Sequence, residues 1–122
     1  MLYTATDLAT VDAEFAHQLA RARLRPDSLR PRELATIRVS LHRVLDLREA
    51  SVREALGVRL EALLANDPAL PRAIGEAANH LGYEAVIAPS AAPGGAEIVA
   101  VFLNNRAPDS SLELVKVEPY RA

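Results

Sequence analysis

The sequence predicts an α+β domain, and three observations carry that reading. Helical periodicity is strong over 8–19 and 70–81, strand-like apolar runs occupy 36–42, 84–88, 96–103 and 111–120, and the two kinds of segment do not alternate regularly. A doubly wound parallel sheet requires such alternation and is therefore disfavoured. The 122 residues are enough to bury about two-thirds of the unfolded surface around one core, so residues 1–122 are expected to form one small domain.

Taken in order, Leu2 to Thr4 is a short strand, and Thr6 and Asp7 offer an N-cap and a negative charge at a helix start. Leu8, Val11, Phe15 and Leu19 then recur at spacings of three, four and four, which lays them on one helical stripe. Glu14 flanks this stripe without entering it. Pro26 and Pro31 bracket a loop. Ile37, Val39 and Leu41 alternate with Arg38, Ser40 and His42, the pattern of a strand with one wet side. The segment Val44 to Leu47 continues as a strand end, with a change of register expected at Arg43.

Ser51 and Glu54 have the spacing of a capping box for a short helix that Gly57 stops. A loosely periodic run leads from Val58 to the breaker Asp67-Pro68. Leu70, Ile74, Ala77, Ala78 and Leu81 define a further helix, closed by Gly82. Three strands complete the chain, the last with a blurred alternation.

Composition excludes several classes of function. Half of the residues are apolar and a quarter charged, as in a globular protein, and the formal net charge of -2 supplies no overall field for nucleic acid or an anionic membrane. Direct nucleic-acid binding and membrane association are thus not expected. The absence of cysteine removes disulfides, thiolate metal sites and cysteine nucleophiles together. His17, His42 and His80 lack metal-ligand spacing, so no metal site is expected. With no long apolar span and no basic-then-apolar leader, the chain reads as cytoplasmic.

The common catalytic signatures GxGxxG, P-loop, GxSxG and HExxH are absent. Three residues nevertheless stand out on the predicted elements. Tyr3 lies on the first strand, Glu14 eleven positions later on the following helix, and Ser90 in a loop opened by Pro89 and closed by Gly94-Gly95. A strand running directly into a helix can place a ring and a carboxylate beside one cleft, and a strand-end loop can reach it. Spacing alone equally allows a rim aromatic, a solvated helix charge and a turn hydroxyl.

The segments "LYTATDLATVDAEF", "VLDLREASVREALGV" and "EAANHLGYEAVIAPSAAPGGAEIVAVF" together resemble, in order, the RES-domain family. These are bacterial toxins named for an arginine, a glutamate and a serine. The resemblance implies a fold similar to ADP-ribosyltransferase toxins, with a mixed or antiparallel sheet and packed helices. It implies NAD as substrate rather than as a tightly bound cofactor, and cleavage of the nicotinamide-ribose bond by transfer to phosphate, water or a protein side chain. It also implies a helix-turn-helix antitoxin partner that blocks the active site. The family glutamate and serine fall on Glu14 and Ser90, and the family's "LYL"-like strand places an aromatic at Tyr3.

On this reading Glu14 stabilises positive charge on the ribose, Tyr3 stacks on the nicotinamide cation, and Ser90 fixes the ribose or amide. Gly94 and Gly95 let backbone approach the ligand. The family arginine lies upstream of the "LYL" strand, a segment this sequence does not contain. The expectation is therefore either a shortened chain or a diverged member with altered chemistry, for which Arg21, Arg23 and Arg38 are the arginines able to approach phosphates. The alternative function is a non-catalytic module that binds an antitoxin-like protein or self-associates. An exposed edge at Leu2 to Thr4 would favour an oligomer or a frayed N-terminus.

Overall fold

The computed structural model describes residues 1–25, 31–65 and 67–120. The strands are β1 (Leu2–Ala5), β2 (Arg32–Ser40), β3 (Val44–Asp46), β4 (Ala85–Pro89), β5 (Glu97–Val101) and β6 (Ser111–Tyr120). The helices are α1 (Leu8–Ala22), α2 (Ala50–Leu56), α3 (Leu60–Leu64) and α4 (Ala69–His80), with a 3-10 turn at Leu103–Asn105. The α+β class is as predicted.

Four strands form one sheet in the order β1-β5-β4-β3, and β2 pairs with β6 in a second sheet. Within the first sheet β1/β5 and β5/β4 are antiparallel, whereas β3/β4 is parallel. A parallel pair needs a crossover, and α2, α3 and α4 supply it. The crossover carries its helices onto one sheet face, where Leu47, Leu63, Ala78, Val86 and Phe102 form the buried core. β1 pairs with β5 along its whole length, from Leu2↔Val101 to Ala5↔Ile98, so the strand is ordered, and it lies at the sheet edge among the described strands.

Several local expectations change. The register shift falls between Thr36 and Ile37 rather than at Arg43, because the chain leaves one sheet at Ser40 and joins the other at Val44. The capping box at Ser51 and Glu54 does not form: α2 begins two residues earlier than that box requires, with Glu49 at the N-cap and no side-chain cap. The Arg53 guanidinium donates to the carbonyls of Leu47 and Arg48, each at 2.8 Å, and this fixes the helix start. Most of the loop predicted between Pro26 and Pro31 lies outside the described residues.

The apolar stripe of α1 is buried unevenly, with Leu19 in the core and Leu8 at the surface. Leu8 is 55% exposed, while Thr10, one residue from the stripe, is completely buried. Phe15 meets Tyr120 of β6 edge-on at 5.4 Å, and the Arg32 guanidinium lies over the Phe15 ring. The stripe thus turns toward β2 and β6, which frees a second helical face for the larger sheet.

Glu84 is a buried carboxylate that ties three segments together. It accepts from the backbone N–H groups of His42 at 2.8 Å, Arg43 at 3.0 Å and Ala107 at 3.1 Å, and from the Ser110 hydroxyl. The Ser110 hydrogen bond, aided by those N–H groups and opposed by burial, brings its pKa from the ordinary 4.5 down to about 2. A carboxyl depressed on folding contributes stability above its unfolded pKa and loses it as pH falls through the folded one. The expected result is that Glu84→Gln has a lower Tm than wild type at pH 7, and that the difference shrinks between pH 4.5 and about 2. Thermal melts across that range check it; a constant difference would contradict the assignment.

Candidate active site

Asp7 caps α1, its Oδ1 accepting from the Thr10 N–H at 2.7 Å. One turn carries the helix from Thr10 to Glu14 on the same face, and both residues engage the loop between β4 and β5. The Thr10 hydroxyl accepts from the Ala96 N–H at 2.9 Å, and the Ser90 hydroxyl donates to Glu14 Oε1 at 2.5 Å. Two contacts spaced four residues apart fix both the rotation and the height of α1 against the loop. The other carboxylate oxygen of Glu14, Oε2, has no partner among the described residues.

The loop is shaped for this contact. The Ser90 N–H donates to Ala96 O at 2.9 Å, and the Ser90 hydroxyl also accepts from the Ala92 N–H at 3.2 Å. Gly94 takes a φ of +83°, a conformation costly for residues with a Cβ. Gly95 is required for a different reason: a Cβ there would lie 2.3 Å from Ser90 Oγ and 2.8 Å from Ser90 Cβ.

These elements border a cavity of about 490 Å³. Its floor is the sheet face bearing Tyr3, Val86, Ala88, Ile98 and Ala100; α1 contributes Glu14, His17 and Arg21, and α4 contributes Pro71, Arg72 and Glu76. The register explains the floor, since Tyr3 lies opposite Ala100 and Ala100 opposite Val86. Apolar residues dominate the lining, with a few charged groups at the two helical walls, the usual constitution of a small-molecule site.

Tyr3 and Glu14 therefore share one hollow, and Tyr3 is 69% exposed at its edge. Ser90 is only 5% exposed and stands behind Glu14, with Pro89, Ala91 and Ala92 forming the wall in front. Gly94 and Gly95 do not line the cavity; they support Ser90 from the loop. Arg21 reaches the cavity, Arg23 is the left-handed C-cap of α1, and Arg38 pairs with Glu113 at 3.2 Å on the second sheet. His17 and Arg72 were not singled out from the sequence. His17 and Arg21 follow Glu14 by three and seven residues, a polar helical stripe that periodicity could have flagged, whereas Arg72 carries no local signal.

Among the described residues, no group of three or more His, Asp or Glu side chains is placed to hold a metal ion, and no helix is long and apolar enough to cross a membrane.

In architecture the chain is similar to a toxin of a toxin-antitoxin complex. Superposition on the MbcT toxin in the crystal structure of the M. tuberculosis MbcT-MbcA toxin-antitoxin complex gives a TM-score of 0.80 at 25% sequence identity, covering 98% of this chain. The chain spans 65% of the length of that neighbour. The RES domain model matches residues 1–122, and the chain belongs to the RES domain family. No curated protein matches it.

Proposed function

We propose that the protein is an NAD-consuming toxin that breaks the bond between nicotinamide and ribose and is restrained by an antitoxin-like partner. The observation that carries the reading is the Ser90-oriented carboxylate of Glu14, set in the wall of an apolar cavity with Tyr3 at its edge. The family membership and the toxin-antitoxin context of the structural neighbour support the same reading.

In this reaction the electron pair of the glycosidic bond leaves with the nicotinamide nitrogen and neutralises the pyridinium. The ribose carbon is left with oxocarbenium character. An oxygen of phosphate, water or a protein side chain then bonds to that carbon and loses its proton. Glu14 Oε1 is held by Ser90, which leaves Oε2 to accept from a ribose hydroxyl and to face the developing positive charge. Ser90 thus acts through Glu14. The Tyr3 ring, at the edge of the cavity, offers a face to the planar cation before it leaves. Water is thinned out by the apolar floor of Val86, Ala88, Ile98 and Ala100, which strengthens the carboxylate's field.

The test is incubation of the purified chain with NAD and inorganic phosphate, following nicotinamide by chromatography. Time-dependent release is expected, and it should fall when an antitoxin-like partner is bound. Release no faster than in a protein-free blank would overturn the reading.

A further inference from the structure

The cavity holds two cationic side chains with no role in the bond-breaking step. Arg21 comes from the last turn of α1 and Arg72 from the first turn of α4, so the two side chains border the cavity from different walls. Several other arginines of the molecule are engaged. Arg38 pairs with Glu113, Arg48 with Asp46 and Glu97, and Arg53 donates to backbone carbonyls. Arg32 and Arg43 lie over the rings of Phe15 and Tyr83. Arg21 and Arg72 have neither an acceptor nor a ring partner among the described residues, although Glu76 and Asp67 line the same cavity. Asp67 is occupied, accepting from the Ala69 N–H at 3.0 Å.

We propose that Arg21 and Arg72 form an anion clamp that holds the pyrophosphate of the dinucleotide. Guanidinium forks match phosphate oxygens bidentately, and two forks from separate walls can grip the two phosphates of one diester. The position along α1 fits. Arg21 follows Glu14 by seven residues, two turns on the same helix face, about 10 Å along the axis. A ribose at Glu14 with its 5′-phosphate covers much of that length, and the arginine side chain covers the rest. The start of α4 adds the positive end of a helix dipole beside Arg72. His17, between Glu14 and Arg21 on the same face, borders the path between the two subsites. The clamp rests on reading the cavity as a dinucleotide site, and its test separates the two ideas.

The full-length chain is titrated calorimetrically with ADP-ribose and, separately, with inorganic pyrophosphate, and is assayed for nicotinamide release from NAD and from nicotinamide riboside, which lacks the pyrophosphate. Arg21→Gln and Arg72→Gln are each expected to weaken ADP-ribose binding by about 10-fold, and the pair by about 100-fold, the size of a lost charge-assisted hydrogen bond at each site. Pyrophosphate binding should fall in parallel, while release from nicotinamide riboside stays unchanged. Arg21→Lys and Arg72→Lys, which keep charge but lose the fork, should fall between. Unaltered melting curves for these exposed positions would show that folding is intact. Pyrophosphate binding that is lost in the variants, in a chain that releases no nicotinamide from NAD, supports the clamp while ending the NAD reading. Wild-type protein that binds neither anion, or a double Gln variant that binds both as well as wild type, overturns the clamp whatever the outcome with NAD.

Discussion

Glu14→Gln is expected to lower kcat for nicotinamide release by about 10²–10³-fold while changing KM only several-fold, the signature of an interaction made mainly in the transition state. Glutamine keeps the shape of the side chain and can still accept from the Ser90 hydroxyl, but it removes the negative charge that faces the ribose as the bond lengthens. The neutral amide therefore isolates electrostatics from packing. Ser90→Ala should cost less, about 10-fold in kcat, because Glu14 keeps its charge and loses only its orientation. Steady-state kinetics of both variants with NAD check the order. A Glu14→Gln enzyme within twofold of wild type would remove the carboxylate from the reaction.

The second large effect is structural and falls on a residue with no chemistry of its own. In Gly95→Ala the new methyl would overlap Ser90 Oγ and Cβ and would crowd the Ala92 carbonyl at 3.1 Å. The loop has no slack, since Ser90 is pinned by Ala92, Ala96 and Glu14 simultaneously. Overpacking of this kind costs about 1–3 kcal/mol, and with a rigid neighbour we expect the upper end, a fall in Tm of about 10 °C. Activity should fall with it because Ser90 must turn away from Glu14. The double variant Ser90→Gly/Gly95→Ala relieves the two closest contacts and should recover most of the stability but not the activity. Thermal melts of the four proteins in that cycle measure the coupling. Additive losses would mean that Gly95 is required for something other than its contact with Ser90.

Much of the fold is legible in the sequence because period and punctuation are local. The helices at 8–22 and 69–80 and the last three strands lie where apolar spacing and glycine place them. Misreadings arise where a distant residue decides. The capping box depends on where α2 begins, and Arg53 and its backbone acceptors fix that point. The face of α1 that meets the 90–96 loop and the cavity is marked by Thr10, Glu14, His17 and Arg21, polar residues beside a stripe whose buried member is Leu19. Glu84 reads as the first residue of a strand, and nothing nearby announces that it is buried under three backbone donors. At the candidate site, Tyr3 and Glu14 lie beside one hollow, which the strand-to-helix connection suggested. The concealment of Ser90 and the arrival of Arg72 could not be read, since both depend on how α4 and the 90–96 loop settle on the sheet.

The pairing of β1 with β5 has a temporal side. The Thr4 hydroxyl donates to the Val99 carbonyl, 95 positions away in the chain, and Tyr3 sits opposite Ala100. Contacts this remote close late, after the intervening loop entropy has been overcome, and they slow folding. A growing chain on the ribosome carries the carboxylate early but has no floor beneath it until residue 101 has emerged. The hollow therefore cannot come into being before β5 has been made, about a hundred residues after the strand that borders it.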